Sequence, residues 1–211
     1  GAYLNGETVQ EVGGGVCQTS STLYNAVVLA NLKVTDRSNH TYISSYVPIG
    51  RDATVSWGGP DFKFKNNRDY PIKIEVSYAK NKLTCKIIGT DVDGSYVKFT
   101  SEKTGDVGFN TKYENDDTIP EGQQVTRTAG SNGGRAVSYR LVYDKNGNLI
   151  SKTKEANSYY KGHDALIAVG TMKVETPTEP TTPETTEPSS PDTTTPETTP
   201  ETQPVENTTT E

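Results

Sequence analysis

The sequence predicts a β-rich α+β fold with one main helix followed by antiparallel strands. Three observations support this prediction. Apolar residues recur at helical spacing in residues 16–32. Beyond them, short stretches alternate apolar and polar side chains between turn residues, which is typical of strands. From residue 173 onward the chain is almost entirely Thr, Pro, Glu and Ser, which predicts a disordered, proline-stiffened tail.

The predicted helix begins directly after a run of three glycines, which permits close approach of another backbone. Hydroxyl side chains at residues 19–21 are expected to cap its first turn. Its apolar stripe is predicted to comprise Leu23, Ala26, Val27 and Ala30, widened by Val28 and Leu29.

Strands are predicted after the helix. The sequence indicates strands at residues 42–47, 53–57, 62–65, 72–78 and 83–88. Residues 91–94 are expected to form a hairpin turn that leads into a further strand at residues 96–99. Together these elements predict a first domain over residues 1–90.

A second module is predicted over residues 92–172, as an elongated all-β unit with few large aliphatic residues. Strands at residues 138–143 and 148–154 are joined by Asn146-Gly147, a strong hairpin signal. A last strand is expected at residues 165–169. The tail then occupies residues 173–211, and such a segment serves as a stalk or spacer.

Composition limits the function classes. The formal net charge is −6, and residues 176–211, which contain acids but no Lys or Arg, account for it. The remainder is near neutral, so we expect no nucleic-acid partner. No apolar run is long enough to span a bilayer, so no membrane segment is expected here. Because the chain starts at Gly1 inside what looks like structure, we expect part of the first domain to precede it.

Cys17 is the strongest candidate for chemistry. It lies at the predicted helix start, where the helix dipole and free backbone N–H groups lower a thiol pKa and can hold a developing oxyanion. The alternative is a buried structural cysteine. Cys85 lies on the apolar face of a predicted strand, and its different context argues against a disulfide with Cys17.

A cysteine nucleophile needs a base, and His40 is the preferred candidate because it follows the helix directly. Asp52 can orient this histidine, and Arg51 can bind a substrate carboxylate. For each of these residues an ordinary surface role is the competing interpretation. Tyr46 can line a cleft or belong to the core. With two histidines in the chain, neither a metal site nor a cofactor is expected.

A long stretch of the first 80 residues resembles the VanW family. The resemblance is carried by Gly13-Gly14-Gly15-Val16-Cys17-Gln18, His40, Gly50-Arg51-Asp52-Ala53-Thr54 and Tyr70-Pro71-Ile72. Where the family commonly has Ser after the histidine, this chain has Thr41, which keeps the hydroxyl. The family has a further segment upstream of the glycine run, so the resemblance implies an incomplete domain.

The second module resembles a G5 domain. Its pattern includes Ile119-Pro120-Glu121-Gly122, Gly134-Arg135, Asn146-Gly147 and Val169-Gly170-Thr171. The resemblance implies a glycine-marked β module of bacterial surface proteins and binding to polymers that contain N-acetylglucosamine. An inert spacer is the alternative.

Some VanW-domain proteins are similar to L,D-transpeptidases, which implies a role for Cys17 as nucleophile on peptidoglycan stem peptides. His40 and Asp52 would assist it, with Gly15, Gln18, Arg51 and Tyr46 expected around the substrate. The product would be a 3–3 cross-link in the bacterial cell wall, outside the cell.

Two other functions stay open at this point. One is hydrolysis of the same stem peptide. The other is a non-catalytic surface protein that binds peptidoglycan or N-acetylglucosamine polymers through its second module. An open, polar site for Cys17 near His40 would favour catalysis, whereas an apolar enclosure remote from both histidines would favour binding.

Overall fold

The computed structural model describes residues 2–4, 7–9 and 14–173, and apart from Lys173 the predicted disordered tail lies outside the described residues. Gly1–Val174 form one compact unit. Its described elements are one helix, α1 (Val16–Leu29), and strands β1 (Ala2–Leu4), β2 (Glu7–Val9), β3 (Lys33–Asp36), β4 (Lys63–Lys65), β5 (Lys73–Ala79), β6 (Lys82–Ile88), β7 (Tyr96–Val107), β8 (Thr111–Pro120), β9 (Gln124–Thr128), β10 (Gly133–Tyr143), β11 (Leu149–Tyr160) and β12 (Ala165–Met172).

The predicted β-rich α+β class is confirmed. Three small antiparallel sheets, β1–β2, β3–β4 and β5–β6, accompany the helix. Two three-stranded sheets follow, with orders β11–β10–β7 and β8–β12–β9. All pairings are antiparallel except that of β12 with β8, which is parallel. No helix in the described part of the chain is long and apolar enough to cross a membrane.

The buried face of α1 differs from the predicted stripe. Its buried residues are Ser21, Tyr24, Val27 and Val28, while Leu29 is exposed. Tyr24 packs edge-to-face on Phe99 of β7, with ring centroids 5.5 Å apart. A hydroxyl and a phenol on the buried face hide the true stripe from an analysis that counts aliphatic residues.

The predicted strands at residues 72–78 and 83–88 are confirmed as β5 and β6. They pair as a hairpin whose turn places Lys80 and Asn81 at positive φ, 51° and 59°. This is the two-residue geometry that matches strand twist. The predicted strands at residues 42–47 and 53–57 are wrong. Within the described chain these segments are irregular except for one isolated bridge between Ser38 and Thr54.

In the second module, the hairpin through Asn146-Gly147 is confirmed as β10–β11. The hairpin predicted at residues 91–94 is wrong, because β7 pairs with β10 across the module instead of with β6. Strands β3, β8 and β9 were not predicted. Their residues are mostly polar and exposed, so alternation is too weak to identify them.

Side chains of the second module contact the first one directly. Arg140 of β10 donates to the backbone oxygen of Leu32 (2.8 Å) and to Asn31 Oδ1 (3.1 Å), while it also pairs with Glu155. Phe99 joins the buried cluster around Tyr24. Because these contacts are buried or half-buried, the helix of the first module is held partly by strands of the second.

Candidate active site

The candidate site begins at the first turn of α1. Gly15 is its N-cap in the left-handed conformation, with φ of 104°, which glycine adopts without strain. The expected hydroxyl caps are absent among the described residues: Thr19 Oγ1 instead donates to the Gly15 carbonyl at 3.0 Å. The amides of residues 16–18 precede the first intrahelical bond, so this end of the helix keeps donors without a side-chain cap.

Polar side chains of α1 fasten the helix to the segment 51–55. Ser21 Oγ accepts the Ala53 amide at 2.9 Å, and Ser20 Oγ donates to the Ala53 carbonyl at 2.6 Å. Asn25 donates to the Arg51 carbonyl at 2.7 Å and accepts from Arg51 Nε at 2.8 Å. Polar side chains of the helix therefore satisfy backbone groups of this segment beside Cys17, and the segment has one isolated bridge, Ser38–Thr54, instead of a place in a sheet.

Cys17 lies in polar, half-open surroundings. Its Sγ lies 3.3 Å from the Val55 carbonyl oxygen and 3.5 Å from Thr54 Oγ1. Burial raises the pKa of the thiol, but hydrogen bonding at Val55 and Thr54 together with the neighbouring His40 outweighs it, so the Cys17 pKa lies below its ordinary value. Cys85 is also a free thiol, and burial raises its pKa. The pKa is therefore lowered for Cys17 and raised for Cys85, and a lowered pKa is what a reactive thiol requires.

His40 is held between a carboxylate and a phenol. Its Nδ1 lies 2.6 Å from Asp52 Oδ2, and the same oxygen accepts the His40 amide at 2.7 Å. Nε2 lies 3.0 Å from the hydroxyl of Tyr46. Burial lowers the His40 pKa. Hydrogen bonding to Asp52 and the proximity of Cys17 raise it by more than burial lowers it, so the net pKa lies above its usual value. Burial raises the pKa of Tyr46 to about 12, so its phenol stays protonated.

Asp52 is the most buried member of the site, with 1% exposure. Its Oδ1 accepts from Arg37 Nη2 at 3.0 Å and from the hydroxyl of Tyr160. Burial raises its pKa, but hydrogen bonds from His40 and Tyr160 and the charge of Arg37 lower it, and the net pKa lies below its ordinary value. The carboxylate is therefore ionised at neutral pH and fixes Nδ1 of His40 as the protonated ring nitrogen.

Cys17, His40 and Asp52 lie together and have the side-chain chemistry that cysteine acyl transfer requires of a nucleophile, a base and an orienting acid. Uncapped amides at the helix start lie next to the sulfur, where an oxyanion would develop. The three residues were predicted from sequence, and the structure brings them together. Their catalytic roles remain a prediction.

The predicted substrate-binding residues have varied surroundings. Gly15 faces open space, and Gln18 is half-buried in the first turn. Arg51 packs its guanidinium over Phe99, 4.6 Å from the ring centroid, in addition to its bond with Asn25. Tyr46 contacts His40. Roles of these four residues in substrate binding stay predictions.

Trp57 lies on a tight turn that follows the segment beside the thiol. The turn is closed by hydrogen bonds from Ser56 N to Pro60 O (3.0 Å) and from Gly59 N to Ser56 O (3.1 Å). The indole is fully exposed, two residues after Val55, whose carbonyl contacts Cys17. An exposed aromatic side chain therefore follows, two residues along the chain, the residue whose carbonyl contacts Cys17.

Two residues of the site were missed by sequence reasoning. Arg37 pairs with Asp52 and also donates to Ser158 Oγ at 2.9 Å. Tyr160 comes from the end of β11, far along the chain, and its side chain is 1% exposed. No spacing rule connects residues more than 100 positions apart, and tyrosines are common in this sequence, so Tyr160 carried no distinguishing signal.

Family comparisons match both parts of the chain. Residues 1–88 match the family described as "VanW like protein", and residues 98–172 match the family described as "G5 domain". The two motif sets singled out above therefore fall inside separate matched ranges.

Relatives of known sequence or structure are also similar. The "Uncharacterized protein YoaR" of Bacillus subtilis is 46% identical over 95 residues, which cover 45% of this chain but 31% of the relative. A solved chain titled "IgA1 Protease G5 domain structure" is 15% identical, with a TM-score of 0.26, and the match covers 37% of this chain and 94% of that chain.

Proposed function

We propose a catalytic function for this chain, whose residues 1–88 belong to the VanW-like proteins and whose residues 98–172 are a G5 domain. These two domains indicate a protein associated with the cell wall. The proposed activity is cysteine-dependent acyl transfer on peptidoglycan stem peptides, of the L,D-transpeptidase kind, at the outer surface of a bacterial cell.

In the first half-reaction, the Cys17 thiolate attacks the carbonyl carbon of the third residue of a stem tetrapeptide. A carbon–sulfur bond forms, and the oxyanion is stabilised by uncapped amides at the start of α1. The bond to the terminal D-alanine then breaks, and the leaving amine takes a proton from His40 Nε2. A thioester on Cys17 remains.

In the second half-reaction, the side-chain amine of another stem peptide attacks the thioester. His40 accepts the proton of that amine, the carbon–sulfur bond breaks and the thiolate returns. The product is a 3–3 cross-link. Asp52 keeps the imidazole oriented and stabilises its protonated form in both steps.

One observation carries the proposal: His40 adjoins a thiol of lowered pKa and is held by a buried carboxylate. Structural cysteines lie in apolar surroundings that raise their pKa, as Cys85 does. The polar neighbours of Cys17, Thr54 and the Val55 carbonyl, support the catalytic interpretation over a structural one.

The test uses the intact protein with purified tetrapeptide muropeptides, and mass spectrometry follows the products. We expect 3–3 dimers with the wild type and with Cys85→Ala, and none with Cys17→Ala. Tripeptide monomers without dimers, dependent on Cys17, would replace transfer with hydrolysis. Equal dimer formation by wild type and Cys17→Ala would refute the proposal, provided that circular dichroism shows both to be folded.

We propose glycan binding as a second function of the G5 domain. A cleft of about 630 Å³ at the edge of this domain has three ring-bearing side chains in its lining, those of Tyr159, His163 and Tyr42 of the first module, and Tyr42 stacks on His163. Stacked rings and polar neighbours are suited to sugars. We expect Cys17→Ala to sediment with insoluble peptidoglycan to the same extent as the wild type. Loss of sedimentation in Tyr159→Ala, but not in Cys17→Ala, would assign binding to this cleft.

A further inference from the structure

We infer that the G5 domain is part of the active site, with Tyr160 as a positioning residue that acts on His40 through Asp52. The inference goes beyond the two assigned domain ranges, because the candidate nucleophile, base and acid all lie within residues 1–88. It rests on the proposed function for its catalytic consequence, but the coupling of Tyr160 to His40 is measurable without any substrate.

The carboxylate of Asp52 connects Tyr160 to His40. Its Oδ2 is hydrogen-bonded to His40, while its Oδ1 accepts hydrogen bonds from Arg37 and the Tyr160 hydroxyl. The Tyr160 oxygen also accepts the amide of Gly50 at 2.9 Å. The Tyr160 hydroxyl, on a side chain that is 1% exposed, therefore both donates and accepts a hydrogen bond, and both partners lie within residues 50–52 of the first module.

Neighbouring contacts fix the end of β11 in this place. Arg37 bridges Asp52 and Ser158, and Asn39 donates to the Tyr159 carbonyl at 2.7 Å. The Lys161 amide donates to the Thr41 carbonyl at 2.7 Å. Backbone and side-chain bonds thus flank His40 on both sides along the chain, so Tyr160 cannot shift without moving residues 39–41.

The effect on His40 follows from charge sharing. The groups that face its ring are Asp52, Cys17 and the neutral phenol of Tyr46, while Arg37 and Tyr160 act through Asp52. A hydrogen bond to Oδ1 draws negative charge away from Oδ2. Without the Tyr160 hydroxyl, the Asp52 carboxylate would stabilise the imidazolium more strongly, so the His40 pKa would rise and Nε2 would release its proton less readily to the leaving amine.

The experiment titrates the two histidines of the intact protein by NMR, with His163→Gln to assign the signals. We expect Tyr160→Phe to move the His40 midpoint upward by about half a pH unit and to lower kcat by up to about threefold, with little change in KM. Tyr113→Phe removes a hydroxyl from an exposed ring on β8 of the same domain, away from the cleft, and it should leave both values unchanged.

A double-mutant cycle keeps the inference testable if Tyr160→Phe is less stable. In an Asp52→Asn background the added Tyr160→Phe change should no longer move the His40 midpoint. An unmoved midpoint in folded Tyr160→Phe would overturn the inference whatever the activity, because a purely structural role lowers thermal stability alone. Conversely, an inactive wild type with the expected shift would overturn the proposed reaction and leave the coupling standing.

Discussion

The buried carboxylate of Asp52 makes Asp52→Asn the most informative perturbation. Its two oxygens accept four hydrogen bonds, from Arg37, Tyr160, and the amide and ring of His40. An Asn side chain keeps the shape but replaces one acceptor by a donor, which would face donors already present. The Arg37 side chain, 6% exposed, would lose its counter-charge.

The expected cost follows from this arrangement. Removing one partner of a buried, hydrogen-bonded ion pair costs about 3–5 kcal/mol, because the remaining charge stays buried. We therefore expect Asp52→Asn to lower the free energy of unfolding by about that amount at pH 6. Asp61→Asn is the matched control: Asp61 is 58% exposed and 3.7 Å from Lys63, so the loss should stay below about 1 kcal/mol.

The pH dependence gives a second signature. The folded pKa of Asp52 is lowered, so its contribution is present above its unfolded value of 3.8 and is lost as pH falls through the folded one. The folded pKa of His40 is raised, so its contribution is complete below 6.5 and is lost as pH rises through the folded one. The combined contribution of Asp52 and His40 should therefore be largest between about pH 4 and 6.5, and Asp52→Asn should reduce both its acid and its alkaline decline.

Urea unfolding followed by far-ultraviolet circular dichroism at pH 5.5 and 8.5 measures these differences. The reasoning is refuted if Asp52→Asn and Asp61→Asn lose the same small amount, or if Asp52→Asn keeps the alkaline decline of the wild type. Either result would mean that the carboxylate does not organise His40.

Two further predictions concern reactivity and the contact between modules. With limiting iodoacetamide at pH 7, Cys17 should be alkylated at least about tenfold faster than Cys85, and His40→Gln should reduce that ratio. Peptide mass spectrometry measures both rates. Faster labelling of Cys85 would contradict the lowered pKa of Cys17. Gly50→Ala should lower the thermal midpoint more than Gly58→Ala. Both glycines have positive φ, but a Cβ at residue 50 would lie 3.2 Å from a side-chain carbon of β10, whereas a Cβ at residue 58 would face open space. Equal losses would show that backbone strain alone matters.

Local sequence patterns predicted the elements that local physics determines. The helix, strands β5 and β6, and the hairpin β10–β11 follow from apolar spacing and turn chemistry. Cys17 and His40 were identified from short stretches of sequence too. Cys17 follows a glycine run at the start of the predicted helix, and His40 is the first histidine after that helix.

Elements that depend on distant partners could not be predicted. Residues 53–57 look like a strand, but side chains of α1 bind the backbone of Ala53 and Val55, so these groups are satisfied without a sheet. β7 was expected to fold back on β6, but it pairs with β10, some 40 residues away. Strand β8 is too polar to show alternation, and its parallel pairing with β12 depends on a late segment of the chain.

The turn at Trp57 has a practical consequence. Trp57 is the single tryptophan of the sequence, and its indole is already fully exposed in the folded state. Its emission should therefore change little when the chain unfolds in urea. A ligand that covers the indole would shield this ring from water, so a blue shift in the native spectrum would be an intrinsic optical readout of its binding, free of any attached dye.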